Sequence, residues 1–291
     1  MAEELSERRP ADPGPPPFSV LLPVYAGDTA VHFARALASV SVDQHLRPSE
    51  IVIVRDGPVG ADIGVVLARA AAGELTGGAD VRLVELEANV GLARALEEGL
   101  AACRHEIVAR ADADDVSLPQ RFAVQVPLVS AGLDLLSAAI VEFATDESER
   151  GLVRTWPTDA DAIATLARFQ DPFNHPAVVY RRSAVAAAGG YQHLARMEDY
   201  WLFARMIAAG ARVSNVAEPL VLYRVGAGAY ARRGGWTLLR SELSLQTRML
   251  RTGFTTPIQF VRNVAVRGVW RFTPTGLRKV VYALATRARE S

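Results

Sequence analysis

The chain is 291 residues long, 50% hydrophobic and 22% charged, which suits one large or two small globular domains and excludes disordered and collagen-like classes. Acidic and basic residues balance at 32 each, but residues 232–291 hold twelve basic side chains against Glu242 and Glu290, leaving an acidic body and a basic C-terminal segment. The single cysteine, Cys103, excludes an intramolecular disulfide, has no metal-spaced companion and reads as a small buried hydrophobe in a reducing compartment.

Residues 1–17, MAEELSERRPADPGPPP, carry five prolines and no apolar core, so they are expected to form a disordered Pro-rich arm rather than a signal peptide. From Phe18 short apolar runs alternate with helical segments. FSVLLP, EIVIV, VRLVEL and EIVAR read as strands; Thr29–Val42, Ala61–Ala72 and Gly91–Cys103 read as helices. That alternation means an α/β fold with a parallel sheet covered on both faces. A helix from Leu118 with Pro119 in its first turn, a strand over Asp134–Phe143 and a helix over Thr158–Phe169 follow. HPAVVYRR reads as a strand, MEDYWLFARMIAAG as a helix and RVSNV as a strand, with one domain running to about Tyr230. The best apolar stretch, Phe122–Ala144, is broken by Pro127 and Asp134, so a soluble or surface-bound protein is expected.

Ligands of such sheets sit at the carboxyl ends of the strands. Three of the first four strands are followed there by a carboxylate, at Asp56, at Glu87 and at Asp112, Asp114 and Asp115. The last group suits Mg²⁺ or Mn²⁺ rather than zinc, because no His or Cys stands beside it. If the segment is extended, Asp112 and Asp114 face one pocket, while Asp115 turns toward the next helix as a cap. A second pair, Glu198-Asp199, opens a largely apolar helix; it either complements the helix N-terminus or supplies a general base.

SVLLPVYAGD, VRDGP, NVGLARALEEGL, RADADDVSLPQRF, HPAVVYRRSAV, GGY, MEDYWLFARM and EPLVLYR resemble, in order, the blocks of the family 2 glycosyltransferases. The resemblance covers Phe18 to about Arg224 and implies the GT-A fold: a central, mostly parallel sheet flanked by helices, here over residues 18–230, with a helical extension over 231–291. It also implies an inverting transfer from a nucleotide-sugar donor to a hydroxyl of a glycan or lipid-linked acceptor, in cell-surface polysaccharide or glycolipid synthesis. Carried over residue by residue, Pro23, Val24 and Tyr25 match the donor loop, and Asp56 the acid that accepts from the base, favouring UDP- or dTDP-sugars. Asn89, Gly91 and Arg94 match the block supporting the donor. Asp114, with Asp112 beside the ribose or sugar, matches the D-x-D ligand of Mn²⁺ or Mg²⁺, and Asp199, next to Glu198, matches the base. His175 and Trp201 are candidate acceptor contacts.

Two departures stand out. Arg55 replaces the first of two acids usual in the second block, and Gly226 stands near where many relatives carry a His, leaving Arg232 and Arg233 as candidate diphosphate partners. Without a Q-x-x-R-W motif or transmembrane helices, one sugar per encounter is implied. The basic segment, with FVRNVAVRGVWRF and GLRKVVYALATRA, reads either as a basic amphipathic tail on an anionic membrane surface, placing the protein in the cytoplasm or on the inner face, or as a cover for the domain. No nucleic-acid motif accompanies the charge. Two rival readings are a degenerate sugar-nucleotide-binding scaffold, and a haloacid dehalogenase-type phosphatase from DADDVSL. The latter needs its motif on the first strand and a later Lys, where Lys279 alone is present.

Overall fold

The computed structural model describes residues 14–226 and 236–272, with side chains in the C-terminal part described over 238–267. Arg232, Arg233 and most of the N-terminal arm therefore lie outside the described residues.

Strands β1 (Phe18–Tyr25), β2 (Glu50–Asp56), β3 (Asp80–Leu86) and β4 (Ile107–Arg110) are separated by helices α1 (Ala30–Ser39), α2 (Ala61–Ala71) and α3 (Leu92–Ala102). They lie parallel in the order β3-β2-β1-β4. The apolar runs are nearly unbroken because both faces are buried. Val20, Leu22, Ile51 and Ile53 pack with Phe33, Leu37, Ile63 and Leu67 on one side. Their alternates Leu21, Val52 and Val54 pack with Leu96 and Leu100 of α3 on the other.

The chain continues through β5 (Val116–Ser117), α4 (Arg121–Ser130), β6 (Leu135–Phe143), β7 (Val153–Arg154) and α5 (Ala160–Ala167). A 3-10 turn (His175–Ala177), β8 (Val179–Arg181), α6 (Arg182–Ala187), α7 (Glu198–Ala208) and β9 (Val213–Arg224) follow, then α8 (Trp236–Arg251) and α9 (Pro257–Phe272). β8 joins β4 to β6, antiparallel to both, and β9 lies parallel to β6. The β6–β9 register shifts around Ala139 and Pro219, where proline cannot donate to the ladder. Beyond that bulge β9 runs on to pair with β5, which places Arg224 beside the loop after β4.

Three local expectations fail. The helix expected from Leu118 starts at Arg121, because Val116 and Ser117 first pair with Leu222 and Val221 and the Leu118 N–H donates to Leu220 O (2.9 Å). Pro119 thus precedes the helix, and Asp115 does not cap it: the cap position is Gln120, with no side-chain hydrogen bond. Residues 112–115 are not extended either, since Ala113 and Asp114 form a turn, so the alternation placed on Asp112 and Asp114 does not apply. HPAVVYRR holds only a short strand. Ala177 N closes on Asn174 O (2.9 Å), and Arg182 opens α6, its N–H satisfied by Glu106 O (2.8 Å).

One buried arginine ties the second half together. Arg121 is fully buried, and burial, then the nearby Arg110 charge, lowers its pKa to about 9. Its guanidinium donates to Arg110 O (2.7 Å), Val178 O (3.3 Å), Ser117 Oγ (2.9 Å) and Gln125 Oε1 (3.1 Å). Those acceptors belong to β4, the segment before β8, β5 and α4, so the side chain fixes the strands around the acid loop. Arg121→Met leaves several of these groups without a donor and is expected to lower unfolding free energy by roughly 2–4 kcal/mol in urea titration; a loss below about 0.5 kcal/mol contradicts this role.

Candidate active site

The parallel order β2-β1-β4 brings three strand ends to one edge of the sheet. At the end of β1 the chain turns tightly: Tyr25 N donates to Asp28 Oδ2 (2.9 Å) and Asp28 N to Tyr25 O (3.1 Å). Pro23 and Val24 are buried in the strand, so a ligand can meet only their backbone, whereas Tyr25 is 48% exposed. Asp28, which sequence reasoning passed over, has its pKa pushed up to about 6 by burial, with further contributions from the Asp114 and Asp112 charges.

At the end of β2, Asp56 is buried and holds the next turn. Its Oδ1 accepts from Val90 N (2.7 Å), and its Oδ2 from Asn89 Nδ2 (3.0 Å) and Gly91 N (3.1 Å). The two turns pack so closely that a Cβ on Gly57, at φ +84°, would come within 2.5 Å of Asn89 N. Arg94 points away from this arrangement, 68% exposed and paired with Glu98 on its own helix. Arg55 pairs with Glu85 of β3 (2.9 Å).

The acid loop follows β4. Arg110, only 2% exposed, pairs with Asp112. Asp115 is also buried; its Oδ1 accepts from Arg224 N (2.8 Å), while Oδ2 has no hydrogen-bond partner. Arg224, stacked over Phe143 at 4.4 Å, donates through Nε to Asp114 O (2.8 Å). Burial first, then the neighbouring carboxylates, raises the pKa of Asp114 and raises that of Asp115 further. Several carboxyls are thus buried close together beside Arg110, Arg121 and Arg224, an environment whose desolvation a hard cation would relieve. Among the described residues no three His, Cys, Asp or Glu side chains form a closed metal cage. An open site of one or two carboxylates, completed by substrate phosphates, is the arrangement Mg²⁺ and Mn²⁺ accept, so this donor set fits them.

The second half of the site comes from α7. Asp199 Oδ1 accepts from Tyr200 N (2.8 Å), the helix-end role, while Oδ2 lies 3.7 Å from His175 Nδ1. Burial, then the Glu198 charge, pushes the Asp199 pKa up to about 6. His175 is buried and bonded through Nε2 to Tyr191 Oη (2.8 Å). Burial and the Arg110 charge hold its pKa well below the usual value, so the ring is neutral and lends Asp199 no positive charge. Asp171, also passed over in the sequence, is pushed up by burial and then by the Asp199 charge, and its Oδ1 accepts from Phe173 N (3.1 Å). Arg110 acts electrostatically on Asp114, Asp115, His175, Tyr191 and Asp199, and so on both acid groups.

Trp201 does not offer a sugar-stacking face. It is 4% exposed, donates through Nε1 to Gln192 Oε1 (2.9 Å) and packs with Leu245 and Met249 of α8. Of the residues passed over, Asp28 was accessible to the strand-end rule and Arg110 ends an apolar run. Asp171 sits in no pattern that would have marked it.

The family model described as "Glycosyl transferase family 2" matches residues 19–188. An amylovoran biosynthesis glycosyltransferase, AmsE of Erwinia amylovora, is 35% identical over 91% of this chain and 97% of its own. A UDP-Gal:alpha-D-GlcNAc-diphosphoundecaprenol beta-1,3-galactosyltransferase of Escherichia coli is 30% identical over 92% and 95%. Among solved structures, S. aureus TarS 1-349 with UDP-GlcNAc superposes with a TM-score of 0.61 at 16% identity, covering 80% of this chain and 66% of that one. A mannosyltransferase of Pyrobaculum calidifontis, in complex with GDP-Man and Mn²⁺, gives 0.59 at 18% identity, covering 98% and 80%. At such identities the structures speak for the fold, which is GT-A, and the sequence matches speak for the family. The chain belongs to glycosyl transferase family 2 and is a glycosyltransferase.

Proposed function

We propose that this enzyme moves one sugar per encounter, with inversion, from a UDP- or dTDP-sugar to a hydroxyl of a glycan or lipid-linked acceptor in cell-surface polysaccharide or glycolipid synthesis. The observation that carries the reading is two acid groups that both feel the buried Arg110: one of clustered carboxyls after β4, the other a raised carboxyl at a helix start. A base must take its proton near the working pH, and Asp199, at about 6 beside a neutral His175, meets that requirement. Asp199 removes the acceptor proton, Glu198 keeps its basicity high, and the hydroxyl attacks the anomeric carbon opposite the diphosphate. Mn²⁺ or Mg²⁺ held through Asp114, with Asp112 near the ribose or sugar, would neutralise charge on the departing diphosphate.

The pyrimidine preference rests on Asp56. A carboxylate has about four acceptor sites; Val90 N, Gly91 N and Asn89 Nδ2 use three of these, and one remains for a ring N–H. The galactosyltransferase relative, named for a UDP-Gal donor and a diphosphoundecaprenol acceptor, supports both the UDP donor and the lipid-linked acceptor. No helix among the described residues is long and apolar enough to cross a membrane.

Purified enzyme assayed for nucleotide release across UDP-, dTDP- and GDP-sugars should favour the first two; a clear GDP preference removes Asp56 as the base reader. Asp199→Asn should lower kcat by about 10²–10⁴-fold while donor binding persists, and transfer within a few-fold of wild type sinks the assigned base. In the wild type, kcat/KM should fall on the acid side with an apparent pKa of about 6, because protonated Asp199 cannot accept the proton. Asp114→Ala should abolish the metal-dependent part of donor affinity in calorimetry; unchanged metal dependence in that variant reassigns the ligand.

A further inference from the structure

α9 exposes more aliphatic surface than a docked helix ordinarily does. Its inward side is mixed: Phe260 and Val264 are half-buried beside Asn263, which is fully buried with Nδ2 donating to Arg168 O (2.7 Å) and Gln246 Oε1 (2.9 Å), and Arg267 pairs with Glu242 (2.6 Å). Its outward face is apolar: Ile258, Val261 and Val266 are 83%, 64% and 48% exposed. Ile258, Val261, Arg262 and Ala265 fall at i, i+3, i+4 and i+7 and so share one stripe. A helix that docks on its domain normally buries the apolar stripe and wets the polar one. α8 buries Leu245 and Met249 against Trp201, with Ser241, Glu242 and Gln246 buried beside them.

We infer that the outward face of α9 rests on an anionic lipid surface, with Ile258 and Val261 entering the headgroup boundary. Charge selects this occupant. Arg262 lies within the stripe and is exposed, as are Arg240 and Arg251 of α8, while the single acid of the two helices, Glu242, is buried on Arg267. A second copy bound through the same face would set arginines against arginines. Residues 273–291 add Arg278, Lys279, Arg287 and Arg289 against Glu290, so in sequence they bring more of the same charge. Arginines flanking exposed aliphatic side chains are the combination that binds lipid interfaces carrying negative charge. The proposal rests on the lipid-linked acceptor only for its purpose, which is to hold the enzyme where such an acceptor lies.

The full chain should sediment with phosphatidylcholine vesicles containing phosphatidylglycerol, less so with phosphatidylcholine alone, and less at high salt. Ile258→Ser with Val261→Ser should lower that partition about tenfold or more, with donor hydrolysis in solution unchanged. The vesicles contain no acceptor, so the result stands apart from the identity of the acceptor. A variant that sediments like the wild type, or a wild type indifferent to vesicle charge, overturns the inference. So does a dimer, seen by light scattering, that the same two substitutions dissociate.

Discussion

Arg110 lies at the end of β4 with 2% of its surface exposed, beneath an edge of carboxylates that burial has stripped of water. It pairs with Asp112 alone, yet its charge reaches the α7 acid, the buried histidine and the unsatisfied Asp115. Arg224 and Arg121 act on the same carboxyls, and the pKa values of Asp114 and Asp115 still stand raised. Asp28 and Asp199 both have carboxyl pKa values raised to about 6. In each case the folded state holds its proton more tightly than the unfolded chain does, so both groups withdraw stability as pH rises from the normal carboxyl value toward about 6. A fold that carries such a cost at one edge keeps it for the ligand that removes it.

The rest of the architecture serves that edge. Parallel pairing of β1 with β2 and β4 puts three loops at the same end of the sheet. Arg121 then ties the strands behind the acid loop to α4 through hydrogen bonds to neutral acceptors, while its charge acts on Asp112 and Asp115. Past the Pro219 bulge β9 stays paired with β6 as far as Arg224 and takes β5 on its other side, so that Arg224 can hold both Asp114, by its carbonyl, and Asp115, by its carboxylate. That grip leaves the Asp114 carboxylate itself unclaimed by Arg224. Asp199 reaches the same region because α7 starts beside the 3-10 turn that carries His175.

Much of this was legible in the chain. Continuous apolar runs with helices between them specify a doubly covered parallel sheet, and the strand-end rule led to Asp56 and to the 112–115 cluster. What was not legible depends on pairing distant in sequence. β5 and β7 have two residues each and exist only because β9 and β6 lie beside them. The start of α6 at Arg182 depends on Glu106 supplying acceptors from another element. Trp201 looked like a sugar platform until α8 was seen to cover it. The apolar stripe of α9 reads as a core face at helical spacing, and only the exposure of Ile258, Val261 and Val266 shows that it turns outward.

Burial raises the carboxyls at this edge above their ordinary pKa, Asp28 and Asp199 to about 6. Calorimetric titration of Mn²⁺ with a UDP-sugar at about pH 5.5, in two buffers of different ionisation enthalpy, measures the protons exchanged on binding. Binding that lowers the raised carboxyl pKa values must expel protons, so net release is the expected result, diminishing toward neutral pH. Binding with no release, or with uptake, contradicts the account.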